Sequence, residues 1–231
     1  MPAAFIPFWS RRLKAIQYNG VVSWSAPVMD VIAYNTQSSL YNSTGTTRSF
    51  SHTTSGTNRI LFVGILTTTS LDVITSVTYA GNAMTRVWWA KLLIGTEWSY
   101  LYYINNPTIG ANNVTINTSS STTVYANAVS YTWANQSGIN ASATNVITNV
   151  SWPQTSVTTT VDNCWLVWYF RSNPNNQTVS AGTTFRSWIN LTMFVADSNW
   201  PKSPAGSHSL WMSNLIQNWI HVVAAFWPWT L

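Results

Sequence analysis

The sequence predicts an all-β protein: an antiparallel, jelly-roll-like β-sandwich with an N-terminal arm, in which two related halves are legible. Three observations carry this. Val, Ile, Thr, Tyr and Trp recur in short runs bounded by Gly, Asn, Ser and Pro, the pattern of many short strands. No window repeats convincingly at helical spacing, although 209–220 comes closest and could hold a helical turn. Blocks of the first half are echoed in the second.

Residues 1–25 read as the arm and 26–231 as a single sandwich domain. Strands are expected near 28–36, 46–53, 59–68, 72–79, 83–93, 97–104, 112–118 and 122–133. The second half gives 155–161, 164–171, 177–181, 184–196, 207–213 and 217–227. β-branched residues such as those of 155–161 suit a pleated sheet, because crowding at Cβ favours extended backbone. Val114 and Ile116 alternate onto one face. Val77 to Thr85 reads as a hairpin, with Gly81-Asn82 supplying the positive φ of a tight turn.

The echo runs through several blocks. Asn58-Arg59-Ile60-Leu61-Phe62-Val63 matches Asn163-Cys164-Trp165-Leu166-Val167-Trp168. Ala80-Gly81 followed by Met84-Thr85-Arg86 matches Ala181-Gly182 followed by Phe185-Arg186. A Pro-to-Gly loop and a closing apolar strand follow in both halves: Pro107 to Gly110 then Ala126 to Trp133, and Pro204 to Gly206 then Trp219 to Trp227. Chance likeness among low-complexity β segments is the competing explanation. A true duplication implies two half-sandwiches sharing one core.

Only 6% of the 231 residues are charged, against about 25% in an average soluble domain. Ser, Thr and Asn supply the polarity instead. The net charge of +5 comes from ten basic residues. Arg11, Arg12 and Lys14 form one run and the rest are scattered, so no basic stripe points to nucleic acid. Cys164 is the one cysteine and lies in an apolar run, which reads as a buried, inert thiol. No stretch reaches the ~18 apolar residues of a membrane span, so no membrane insertion is expected. The start lacks the charged n-region and apolar core of a secretory signal. The expectation is a virion protein released by lysis, with an extracellular protein as the alternative.

Catalytic chemistry is hard to find. Five acids are present, Asp30, Asp72, Glu97, Asp162 and Asp197, and nothing in their spacing makes the flanking pair a glycosidase needs. His52, His208 and His221 are far apart, and His221 reads as a sheet histidine. No zinc spacing, phosphate loop or nucleophile elbow occurs. The expectation is a non-enzyme without cofactor or metal.

Fifteen tryptophans are the strongest anomaly. Trp88-Trp89, Trp165, Trp168, Trp188, Trp211, Trp219, Trp227 and Trp229 sit in strand-like apolar runs, which favours core or subunit contacts. Trp98, Trp133, Trp152 and Trp200 lie nearer loops and strand ends. With Tyr102 and Tyr103 they are the candidate patch for a glycan or a partner. Phe5, Ile6, Phe8, Trp9, Arg11, Arg12 and Lys14 are the candidate assembly arm.

The segment Ser51-His52-Thr53 to Asn58-Arg59-Ile60-Leu61-Phe62-Val63, with Val77-Thr78-Tyr79-Ala80-Gly81-Asn82-Ala83-Met84-Thr85, resembles β-sandwich domains of phage virion structural proteins and bacterial surface proteins. Leu101-Tyr102-Tyr103-Ile104 and Thr132-Trp133 fit the same rhythm, and the likeness covers roughly 46–230. The matched motifs are structural, so the resemblance implies display, adhesion or decoration and carries no active site. The heavy tryptophan load and the arm depart from it. Other virion proteins are the expected partners, within a homo-oligomer whose favoured form is a trimer. A host-surface glycan is the further candidate ligand.

Overall fold

The computed structural model describes residues 14–18, 21–25, 31–87, 92–94, 96–171, 178–180, 182–189, 193–213 and 217–229, with backbone alone for 14–18, 21–25, 92–94, 213 and 217–218. The chain divides after Asp30. Before that point, Lys14–Tyr18 (β1) and Val21–Ser25 (β2) form an antiparallel hairpin. The expected arm therefore holds strand structure. Asn19-Gly20 between two β-rich pentapeptides is the hairpin signal that marks it.

From Val31 to Trp229 the chain is one compact unit. Its first half contains Ala33–Thr54 (β3), Ile60–Thr67 (β4), Ile74–Tyr79 (β5), Asn82–Ala83 (β6), Thr85–Arg86 (β7), Leu92–Ile94 (β8), Glu97–Asn105 (β9) and Gly110–Thr132 (β10). The second contains Ala141–Val150 (β11), Gln154–Thr158 (β12), Trp165–Arg171 (β13), Thr178–Val179 (β14), Thr184–Ile189 (β15), Met193–Asp197 (β16), Ser207–Ser213 (β17) and Gln217–Phe226 (β18). All the described pairings are antiparallel. No helical turn forms over the described residues of 209–220, which are strand.

Strand order makes each half a jelly roll. In the first half, β3 and β10 are so long that each serves two sheets. The C-terminal part of β10 lies between β3 and β4, which continues to β9 and β7, while its N-terminal part lies between β3 and β5, which continues to β6. A register shift between Asn117 and Thr122 marks the bend from one sheet to the other. Met84 alone separates β6 from β7, which joins the two ends of the sheet and nearly closes it into a barrel.

The second half repeats the plan with those long strands broken. Its larger sheet runs β11-β18-β13-β16-β15 and its smaller one β12-β17-β14. β11 and β12 take the place of β3, parted around Pro153, and β17 and β18 take the place of β10. The turns repeat too. Asn58 (φ 48°) and Asn163 (φ 61°) precede β4 and β13, and Gly81 (φ 80°) matches Gly182 (φ 78°). The sequence echo is therefore a duplication of the fold. In the hairpin after β5, the two turn residues are Ala80 and Gly81, both at positive φ, because Tyr79 pairs with Asn82.

The halves do not share one core, as the sequence suggested. Each has its own, and a third lies between them. Leu61, Val63, Ile65, Tyr79, Val114 and Ala126 fill the first jelly roll. Leu166, Trp168, Phe170, Leu210, Trp219 and Val223 fill the second. Ile60, Phe62, Leu66, Val129 and Tyr131 of the first meet Trp165, Val167, Tyr169, Val222 and Phe226 of the second. The larger sheets are thus covered on both faces. This explains why β4 is buried at every position and β13 at all but Arg171, rather than at alternate residues.

Gly64 sets how closely these sheets approach. A Cβ built there would lie 1.9 Å from Tyr169 Cε2. The bare backbone is the seat of the tyrosine ring. Gly64→Ala is expected to cost about 3 kcal/mol or more by overpacking, read in chemical denaturation, with part of the loss recovered by Tyr169→Leu in the same chain. An alanine variant as stable as the parent would contradict this packing.

Candidate functional site

The candidate residues fall in different places. Phe5, Ile6, Phe8, Trp9, Arg11 and Arg12 lie outside the described residues, and Lys14 is described by its backbone, paired with Ser25. Trp98 is half-buried on β9, stacked on Tyr100 with ring centroids 6.4 Å apart. Tyr102 is buried in the first core, where its hydroxyl accepts a 2.8 Å bond from Arg86 Nε. It offers no surface, and that part of the patch is corrected. Tyr103 packs half-buried against the core between the halves. Trp133 follows β10 at φ 61°, and its carbonyl accepts a bond from the Trp229 amide. Trp152 and Trp200 are exposed, at 61% and 65%.

Two exposed tryptophans were missed. Trp188 (64%) and Trp211 (37%) lie in strands whose apolar neighbours favoured core or subunit contacts rather than the candidate patch, and neither is in the core. The signal for Trp211 was its phase: Leu210 and Met212 point inward, so Ser209 and Trp211 point out. Trp211 meets Trp152 with ring centroids 5.5 Å apart. This pair stands on the outer face of β12 and β17. Beside it Ser156 and Ser209 lie opposite each other, their hydroxyls 2.7 Å apart, and Gln154 lies opposite Trp211. Gln154, Ser156, Thr158, Ser207 and Ser209 are all exposed, and none of them is charged.

Most of the described charged groups are engaged with one another or with the backbone, some buried (Arg48, Arg59, Asp197), others half-buried (Arg86, Glu97, Arg171) and Asp72 exposed. Arg186 meets Asp197 through both nitrogens (Nε–Oδ2 2.6 Å, Nη2–Oδ1 3.0 Å) and covers the Tyr34 ring. Tyr131 donates to the same carboxylate at 2.9 Å, so Asp197 ties the two halves together. Burial and this neighbouring carboxylate push the Tyr131 phenol far above its ordinary pKa. Arg171 pairs with Glu97, again across the halves. Arg86 pairs with Asp72, which also accepts from Tyr100. Asp162 accepts from the Ala205 amide. Arg48 donates to the carbonyls of Ser43, Gly45 and Thr122 where β3 and β10 bend, and Arg59 donates to those of Gly56 and Pro107. Asp30 lies outside the described residues. Among the described residues, no group of three His, Cys, Asp or Glu is placed to hold a metal ion.

Cys164, His52 and His221 are buried, whereas His208 is partly exposed, its Nε2 3.1 Å from the Pro204 carbonyl oxygen. Cys164 is fully buried and donates to the Val161 carbonyl, and desolvation pushes its thiol up to about 11. His52 lies between Ser38 Oγ at Nδ1 (2.8 Å) and Ser130 Oγ at Nε2 (3.0 Å), and burial lowers its pKa to about 4. His221 meets Thr155 Oγ1 at Nδ1 (2.8 Å) among the rings of Trp168, Phe170 and Trp219. Among the described residues its Nε2 has no hydrogen-bond partner, and burial lowers its pKa to about 3.

Both imidazoles are therefore neutral in the folded chain, whereas unfolded histidine takes its proton near pH 6.5. Below that pH the unfolded chain binds more protons, so stability falls as pH falls. The contribution is complete above about pH 6.5. It is lost down to about pH 4 for His52 and about pH 3 for His221. The slope is about 1.4 kcal/mol per pH unit for each histidine. Unfolding free energies measured between pH 6.5 and 5, above the main carboxylate range, are expected to lose part of this slope in His52→Gln and in His221→Gln. Two variants with the parent's slope would contradict neutral burial.

No family model, no curated protein and no solved structure matches this chain.

Proposed function

We propose that this chain is a structural subunit of a phage particle, a capsid decoration, fibre or tail-associated protein, that acts by protein–protein assembly and by displaying its outer faces. It works without catalysis, within a homo-oligomer, with a trimer favoured, and beside other virion proteins. The observation that carries this reading is where the charge goes. Arg48, Arg59, Arg86, Arg171 and Arg186 hold strands, loops and halves together, and Asp72, Glu97 and Asp197 are their partners or neighbours. What the outer strands offer is Ser, Thr, Asn, Gln and Trp. Such a surface suits contact and display. Jelly rolls serve in viral capsids and in lectins, although a fold by itself fixes no function. The sequence resemblance to phage structural domains points the same way.

The arm around Phe5 to Lys14 is the proposed docking segment. Mass spectrometry of intact purified particles is expected to find the chain in stoichiometric copy. A form lacking residues 1–20 is expected to unfold at the same midpoint as the full chain and to be lost from particles. Absence of the full chain from particles, or normal incorporation of the shortened one, would overturn the respective claim.

A further inference from the structure

We propose that the outer face of β12 and β17 binds a neutral polysaccharide, with Trp152 and Trp211 stacking on its sugar rings. This stands independently of the assembly role.

The duplication supplies an internal comparison. In the first half Thr54 pairs with Gly110, and in the second the Thr159 amide donates to the Gly206 carbonyl. These pairs fix the correspondence between the two smaller sheets. Counting back from Thr54 and Thr159 aligns Ser49 with Gln154 and Thr47 with Trp152. Counting on from Gly110 and Gly206 aligns Thr115 with Trp211. The same face of the same fold therefore carries threonines in one copy and indoles in the other.

In the first half the threonines do structural work that needs no aromatic ring. Thr47 Oγ1 donates to Asn117 Oδ1 at 2.9 Å, and Ser49 Oγ lies 3.4 Å from Thr115 Oγ1. The jelly roll thus closes without tryptophan at these positions. In the second half the two indoles pack on each other and leave much of their surface in water. Neither belongs to a core cluster. Exposed, contiguous aromatic surface of this kind marks a place of contact.

The surroundings select the occupant. A pyranose ring carries C–H groups on its faces and hydroxyls on its rim. Its faces fit the indole π surface, and its rim fits groups that both donate and accept. Gln154, Ser156, Ser209 and Thr158 are such groups, and none brings charge. A polysaccharide bearing carboxylates or sulfates finds no cation among the described residues of this face. A neutral one loses no charge to desolvation. Extended sheet geometry, with about 6.8 Å between alternate outward residues, offers a track along which successive rings can lie.

The test is affinity electrophoresis of the full chain in native gels cast with hydroxyethylcellulose, xyloglucan, galactomannan or dextran. Retardation by at least one of these is expected. Trp152→Thr with Trp211→Thr, the residues the first half tolerates, is expected to weaken it about tenfold or more. Trp188→Thr, an exposed indole elsewhere, is expected to keep it. Equal thermal midpoints for parent and variants secure the comparison, and the single variants serve if the double one is unstable. No retardation by any of these polysaccharides overturns the proposal. So does undiminished retardation of the variants. So does a fall in sedimenting mass of the double variant without change in retardation, which would make the face a subunit contact.

Discussion

Everything in this fold depends on two sheets being buried on both sides. A jelly roll normally keeps one face of each sheet in water, and its strands alternate between apolar and polar residues. Here the larger sheets of two jelly rolls lie against each other, so β4 and β13 must be apolar on both faces. That demand explains the long hydrophobic runs, the aromatic side chains between the halves, and the glycine beneath Tyr169. It also explains the salt bridges. Arg186–Asp197 with Tyr131, Arg171–Glu97, and the bond from Ser187 Oγ to Asn127 Oδ1 are among the polar ties across or beside the interface. Removing one partner of the buried Arg186–Asp197 pair would leave a charge without compensation, which costs several kcal/mol.

The same economy shapes the outside. With so few charges, and the described arginines engaged with backbone carbonyls or with carboxylates, solubility falls to hydroxyls and amides. Rows of Ser, Thr and Asn keep the outer sheets wet and also satisfy one another across strands, as in Thr47–Asn117–Ser76. Such faces are uncharged and repetitive, and an exposed indole pair stands out on them. The duplication sharpens the contrast, since one copy shows what the fold needs and the other shows what was added.

Much of the fold was legible in the sequence because strand length and alternation are local properties. β4, β5, β9, β13, β17 and β18 fall close to where Val, Ile, Tyr and Trp runs placed them. The errors share a cause. Residues 37–45 and 119–121 looked like loops because they are polar, yet they continue β3 and β10 through a bend, where solvent reaches them. β11 escaped notice because it is an edge strand of mostly small and polar residues. The expected strand 184–196 is two, β15 and β16, paired as a hairpin. The candidate patch was the least legible part. Tyr102 is drawn inward by Arg86, and Trp211 turns outward by the phase of its strand. The unbroken run Leu101-Tyr102-Tyr103-Ile104 gives no phase, so the orientation of Tyr102 is set by its neighbours in space, whereas the alternation of Ser209-Leu210-Trp211-Met212 did carry that of Trp211.

Native-state amide hydrogen exchange reads the double burial of β4 and β13 directly. Residues of Ile60–Thr67 and Trp165–Arg171 should exchange only by global unfolding, at one shared free energy, while the edge strands β3 and β11 exchange much faster. Exchange of Trp165–Arg171 through a separate opening of the second half, with Ile60–Thr67 still protected, would contradict the stacked arrangement.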